Sequence, residues 1–85
     1  MKWEKAIQKI EKALAEGANV AVIYHRKWML NDSRIHDVES IVEYDWHGTT
    51  CKAVNVKGDL VDEGSFIIDE VLTDYFFGCK YDKEV

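Results

Sequence analysis

Ala13-Leu14-Ala15-Glu16-Gly17-Ala18-Asn19-Val20-Ala21-Val22-Ile23-Tyr24 joins two different apolar periodicities at a single glycine. Upstream of it, Trp3, Ile7, Ile10 and Leu14 recur at helical spacing with Ala6 and Ala13 beside them, while Lys5, Gln8, Lys9, Lys12 and Glu16 fall on the opposite side. That pattern predicts one amphipathic helix over residues 2–16. Gly17 follows the last apolar position and can adopt the left-handed conformation that ends a helix without a Cβ clash. Downstream, Val20, Val22 and Tyr24 alternate with Ala21 and Ile23 in a run too short for a buried helix. This predicts a first strand over 19–25, apolar on both faces and therefore central in its sheet.

Working outward, His25-Arg26-Lys27 interrupts the apolar run, Trp28-Met29-Leu30 resumes it, and Asn31-Asp32-Ser33 supplies side chains that favour turns. The simplest reading is a hairpin with a second strand over 27–31. Val42, Tyr44 and Trp46 then alternate with Glu43, Asp45 and His47, predicting a half-buried strand over 38–47. His47-Gly48 reads as a tight turn into a strand over 50–57, which Lys57-Gly58-Asp59 ends. Residues 60–65 read as a polar excursion, and Phe66-Ile67-Ile68 opens a last strand over 66–77 that Asp69-Glu70 interrupts. One helix and about five short strands joined by hairpin-sized connections define an α+β fold. The helix is expected to pack on a strongly bent antiparallel sheet or a small SH3/Sm-like barrel.

Composition narrows the function. Eighty-five residues make a single domain, and 47% apolar residues with 12% aromatics suffice for a core. The longest apolar run, Val20 to Tyr24, is far below the roughly 20 residues that cross a bilayer, so no membrane association is expected. The lysine-rich start does not resemble a secretory signal, and Cys51 and Cys79 stand alone without paired spacing, so the expected compartment is cytoplasmic and both thiols are read as packing residues. The net charge of −5 is unevenly spread: residues 1–36 carry seven cations against four carboxylates, or +3, and residues 37–85 carry four against twelve, or −8. The acidic half repels a nucleic-acid backbone, which argues against direct duplex DNA binding and for basic partners.

No catalytic or metal-binding constellation stands out. His25, His36 and His47 lie eleven residues apart, which is no local zinc motif, and nothing in the spacing selects two of the carboxylates for acid–base work. Ser33, Ser40, Ser65, Cys51 and Cys79 lack the context of an activated nucleophile, and the five glycines are scattered rather than gathered into a phosphate loop. The expectation is a protein that is not an enzyme and uses no cofactor.

Two clusters remain. Tyr24, Arg26, Lys27, Trp28 and Arg34 interleave rings with cations, as an anionic ligand carrying a ring requires, although Tyr24 and Trp28 as core residues is the plainer reading. The second cluster is acidic and aromatic: Glu39, Glu43, Tyr44, Asp45 and Trp46, with Asp69, Glu70, Asp74, Tyr75 and Phe76. Rings rimmed by carboxylates suit a contact with a basic protein, the rings supplying affinity and the charge steering, although a core strand face alternating with solvent is the plainer reading. Adjacent rings at Phe76-Phe77 point to opposite sides of a strand, so one of them is expected outside the core, at a homodimer or partner contact.

The pattern Ala13-Leu14, Gly17, Val20, Val22, Tyr24, followed by Phe66-Ile67-Ile68-Asp69-Glu70-Val71, resembles the helix-to-strand opening and the closing element of the WYL domain over roughly residues 10–72. The resemblance implies an Sm- or SH3-like barrel of the kind that bacterial regulators use to sense a ligand, here a nucleotide or other anionic small molecule, or to bind nucleic acid. Thr50-Cys51-Lys52 stands where the Trp-Tyr-Leu signature falls in that family, and Ile67 and Glu70 stand where arginines are expected. The sequence therefore points first to a small acidic binding protein of the phage or mobile-element modulator type. It would inhibit or regulate a partner that handles nucleic acid; a WYL-like ligand sensor is the alternative.

Overall fold

Helix α1 (Trp3–Ala15) forms where the sequence places it, within a residue of either expected end. Its buried side is Ala6, Ile7, Ile10 and Ala13, with Trp3 and Leu14 packed at the margins. At its end the Ala18 amide donates to the Ala13 carbonyl and the Gly17 amide to the Leu14 carbonyl, both at 3.0 Å, with Gly17 at φ 79°. This six-to-one and five-to-two pair closes the helix and turns the chain directly into the sheet. In the computed structural model, which describes residues 1–74, five antiparallel strands follow: β1 (Val20–Arg26), β2 (Arg34–Trp46), β3 (Thr49–Val56), β4 (Asp59–Val61) and β5 (Phe66–Thr73).

The sheet order is β4-β3-β2-β1-β5, with β4 and β5 as its two edges among the described residues. The architecture is thus α+β with one helix on an open five-stranded sheet. β2 is the shared element: Arg34 to Asp37 pair with β1, and Val38 to Trp46 pair with β3. Between the two halves the register slips, Val38 opposing Val56 while Ser40 opposes Asn55. Glu39 is the extra residue, and a bulge of this kind bends the strand. A second slip lies between Ile23 and Tyr24, where Ile23 opposes Glu70 but Tyr24 opposes Ile68, leaving Asp69 as the bulged residue of β5. The expected interruption at Asp69-Glu70 is this bulge, and β5 runs through it.

Three expectations change. Residues 27–31 are not a strand but two successive turns, in which the Met29 amide donates to the Arg26 carbonyl and the Asp32 amide to the Met29 carbonyl. No strand lies alongside Trp28-Met29-Leu30, and the turn-forming residues after them take over the backbone hydrogen bonds. β2 consequently begins at Arg34 rather than at 38. The excursion at 60–65 begins inside β4, whose Val61 opposes Val54. The part of the expected last strand beyond Asp74 lies outside the described residues.

The core lies between α1 and the inner face of the sheet: Val20, Val22 and Tyr24 from β1, Val38 from β2, Val54 and Val56 from β3, Val61 from β4, and Phe66, Ile68 and Val71 from β5. Tyr24 is fully enclosed, with the Phe66 ring edge-on at 5.5 Å and the His36 ring at 5.9 Å. Lys52 reaches from β3 to the Glu11 carboxylate of α1 at 2.7 Å, and this hydrogen bond holds its ammonium above the usual lysine range.

The β2–β3 hairpin turns at His47-Gly48, as expected, with positive φ at both residues (52° and 81°). That is the mirror-image turn whose twist matches the strands it joins. A Cβ on Gly48 would meet nothing within 4 Å, so only the backbone conformation resists substitution. Gly48→Ala is expected to cost about 1 kcal/mol, read as a lower urea midpoint at unchanged slope; an unaltered midpoint would contradict the turn.

Candidate functional site

The bulge at Glu39 sets which face of β2 carries the rings. Val38 and, past the bulge, Ile41 both pack on the core, opposite Val56 and Val54. Side chains alternate along a strand, so Val42, Tyr44 and Trp46 share the other face, opposite Ala53, Cys51 and Thr49. Trp46 is 62% exposed at the end of the strand, its ring edge-on to His47 at 4.7 Å, and Leu60 on β4 is also exposed.

These residues wall an open groove of about 710 Å³. Tyr44 and Trp46 come from β2, Cys51 from β3, Leu60 from β4, and Asp62, Glu63, Gly64 and Ser65 from the turn before β5; Lys27 stands at its rim. The acidic turn is held by its own backbone: the Ser65 and Phe66 amides donate to the Asp62 carbonyl, and the Gly64 amide donates to the Asp62 carboxylate at 3.1 Å. Lys27 is brought there by its amide, which donates to the Ser65 carbonyl at 3.0 Å. A second groove of about 550 Å³ runs between α1 and the hairpin, past Trp3, Ile7, Glu11 and Lys52, and Tyr44, Cys51 and Glu63 border both. Partial burial, followed by Cys51 and the Asp62 and Glu63 carboxylates, raises the Tyr44 phenol above its ordinary range, so it stays a neutral hydrogen-bonding group.

The expected acidic cluster is divided. Glu43 and Asp45 are exposed on β2 but alternate with Tyr44 and Trp46 and so lie on the opposite face, and Glu39 sits at the bulge, where its carboxylate lies 3.5 Å from the Asn55 amide nitrogen. Asp69, Glu70 and Asp74 lie on or just past β5, separated from β2 by the whole of β1, so they do not join the rings at Tyr44 and Trp46. Tyr75, Phe76 and Phe77 lie outside the described residues, as does Cys79. In their place the fold brings Leu60, Asp62 and Glu63 to the Trp46 face. Asp62-Glu63-Gly64 carries turn chemistry that could have marked this loop as structured, but nothing local indicates what it faces.

The expected ligand cluster is divided as well. Tyr24 is core, and burial, followed by Asp59, raises its phenol pKa. The Arg26 guanidinium lies over the Phe66 ring at 5.1 Å, and Arg34 is held by Asp32 at 2.7 Å. Lys27 and Trp28 are exposed.

The histidines sit in three different settings. The His36 ring lies tilted against Tyr24, His47 forms the hairpin turn, and His25 is buried with its Nδ1 2.8 Å from the Asp69 carboxylate. Among the described residues no three histidines, cysteines or carboxylates gather in a group that could hold a metal ion. The bulge on β5 aims Asp69 at His25, whose Nε2 is sealed from solvent without a hydrogen bond. Asp69→Ala would leave both ring nitrogens without a partner and is expected to cost about 1–3 kcal/mol. Chemical denaturation checks this; a loss below about 0.5 kcal/mol would mean the pair does not support the fold.

No helix among the described residues is long and apolar enough to cross a membrane. Comparison with known proteins found no matching family model, no matching curated protein and no matching solved structure.

Proposed function

We propose that this chain is a non-enzymatic binding module that uses the Trp46 groove to engage a protein with a basic surface, regulating or inhibiting it. The observation that carries this reading is a large ring left 62% exposed on a strand, beside Leu60 and next to the carboxylates of Asp62 and Glu63. A ring exposed in this way gains affinity when a partner covers it, and carboxylates around it select a cation-bearing partner and speed its approach. Proteins that handle nucleic acid carry such basic surfaces, and a small acidic module covering one would block it. This extends to a role like that of a phage or mobile-element modulator.

The sheet is read as a small barrel of the SH3/Sm type. In support, the strands follow a meander with β5 returning beside β1, and β2 bends at Glu39 to serve two half-sheets. The WYL-like sensor is the weaker reading, because Tyr24 is enclosed, Arg26 lies on Phe66 and Arg34 is tied to Asp32.

The test is a titration of the chain with an arginine- and lysine-rich peptide carrying one aromatic residue, alongside a single-stranded oligonucleotide and a panel of nucleotides. The module reading expects peptide binding that quenches tryptophan fluorescence and weakens as salt rises. Nucleotide binding that raises the melting temperature, with no response to the peptide, would favour the sensor.

A further inference from the structure

The turns between β1 and β2 present Trp28, Met29 and Leu30 to solvent, with Trp28 66% and Leu30 70% exposed. With Trp46 and Leu60, these are all the exposed large apolar side chains among the described residues except Met1. Single exposed apolar residues are ordinary, but a grouped set marks an interface. The two features adjoin: Lys27, at the rim of the groove, immediately precedes Trp28 and is pinned to the Ser65 carbonyl.

Their charges are opposite. The segment from Arg26 to Arg34 carries Arg26, Lys27 and Arg34 against Asp32 alone, whereas the groove carries Asp62 and Glu63 against Lys27. Two turn hydrogen bonds, each closing on Met29, hold the loop in shape, so little ordering is lost when it docks. A cation-flanked apolar finger beside an acid-rimmed apolar groove is self-complementary. A two-fold axis between adjoining patches of this kind lets each finger enter the other copy's groove and closes the assembly at two chains.

We propose that a second copy of this chain occupies the groove, its Trp28-Met29-Leu30 finger lying against Trp46 and Leu60, in a symmetric homodimer. This rests on the binding-module reading of the groove and adds a consequence: a basic partner must displace the finger, so partner binding and self-association compete.

Sedimentation velocity of the full chain over a range of concentrations is expected to show a reversible monomer–dimer equilibrium that weakens as salt rises. Leu30→Ser and Trp46→Ala alter exposed positions, so both variants should fold with unchanged melting behaviour, and each should raise the dimer dissociation constant about tenfold or more. A mixture of the two retains one intact finger and one intact groove, and so should associate more tightly than either variant alone. A chain monomeric throughout, or a dimer indifferent to both substitutions, would overturn the proposal. A monomer that still binds the basic peptide through Trp46 would overturn the dimer alone. If the dimer forms as described but the Leu30→Ser monomer takes up no basic peptide, the dimer stands and the module reading falls.

Discussion

Tyr24→Ala is expected to lose about 3–5 kcal/mol, the range found when a buried aromatic is truncated. At about 0.05–0.15 kcal/mol per residue, a chain of 85 residues holds roughly 4–13 kcal/mol in all. The substitution therefore removes a large part of the total. Tyr24 sits at the middle of one half-sheet: it opposes Arg34 on β2 and Ile68 on β5, and its ring contacts those of Phe66 and His36. Tyr24→Phe keeps that packing and should retain most of the stability. If Tyr24→Ala unfolds no more easily than Tyr24→Phe in urea, the ring is not the centre of the core.

The same residue sets an alkaline limit. Burial, and after it Asp59, raises the folded Tyr24 phenol above its ordinary 10.0. The folded state therefore holds its proton more tightly than the unfolded chain does. The stability this contributes is fully present below about pH 10 and is lost as pH rises through the higher folded value. Phenolate absorbance should show one tyrosine that ionises only together with unfolding, and that late step should vanish in Tyr24→Phe.

Trp46→Ala is expected to weaken binding of the basic peptide by about 1–4 kcal/mol, roughly fivefold to nearly a thousandfold. The ring is mostly in water before binding, so its loss should change folding stability by no more than about 0.5 kcal/mol. That separation of affinity from stability is what distinguishes a contact residue from a packing residue. Isothermal titration beside a urea melt reads both quantities, and equal affinity for the two chains would remove Trp46 from the interface. Glu63→Gln should act mainly through the rate of association and its salt dependence, because a rim charge steers more than it holds.

Local features of this chain were legible. Helix α1 ends at Gly17 because the apolar period and the left-handed glycine coincide there, and β1 follows because its five apolar residues cannot form a buried helix. The His47-Gly48 turn was legible for the same reason: a glycine between two alternating runs is a hairpin signal. The failures were at places where the pairing partner is distant in sequence. Trp28-Met29-Leu30 has strand-forming composition, yet it has no neighbouring strand and turns instead. Leu60 and Val61 have loop-like neighbours, yet Val54 opposes Val61 and makes β4.

The candidate site shows the division most clearly. Strict alternation in Val42, Glu43, Tyr44, Asp45 and Trp46 established from the amino acids alone that one face of that strand carries the rings and the other the acids. It did not establish which face is the core, because Ile41 stands in phase with the acids and Val42 with the rings. One additional residue at Glu39 brings both Val38 and Ile41 inward, and by the two-residue period of a strand Trp46 is then turned to water. Register is a property of two strands together, so only the folded pairing of β2 with β3, and of β3 with β4, could bring Leu60 and Asp62 to that ring and carry Asp69 away from it.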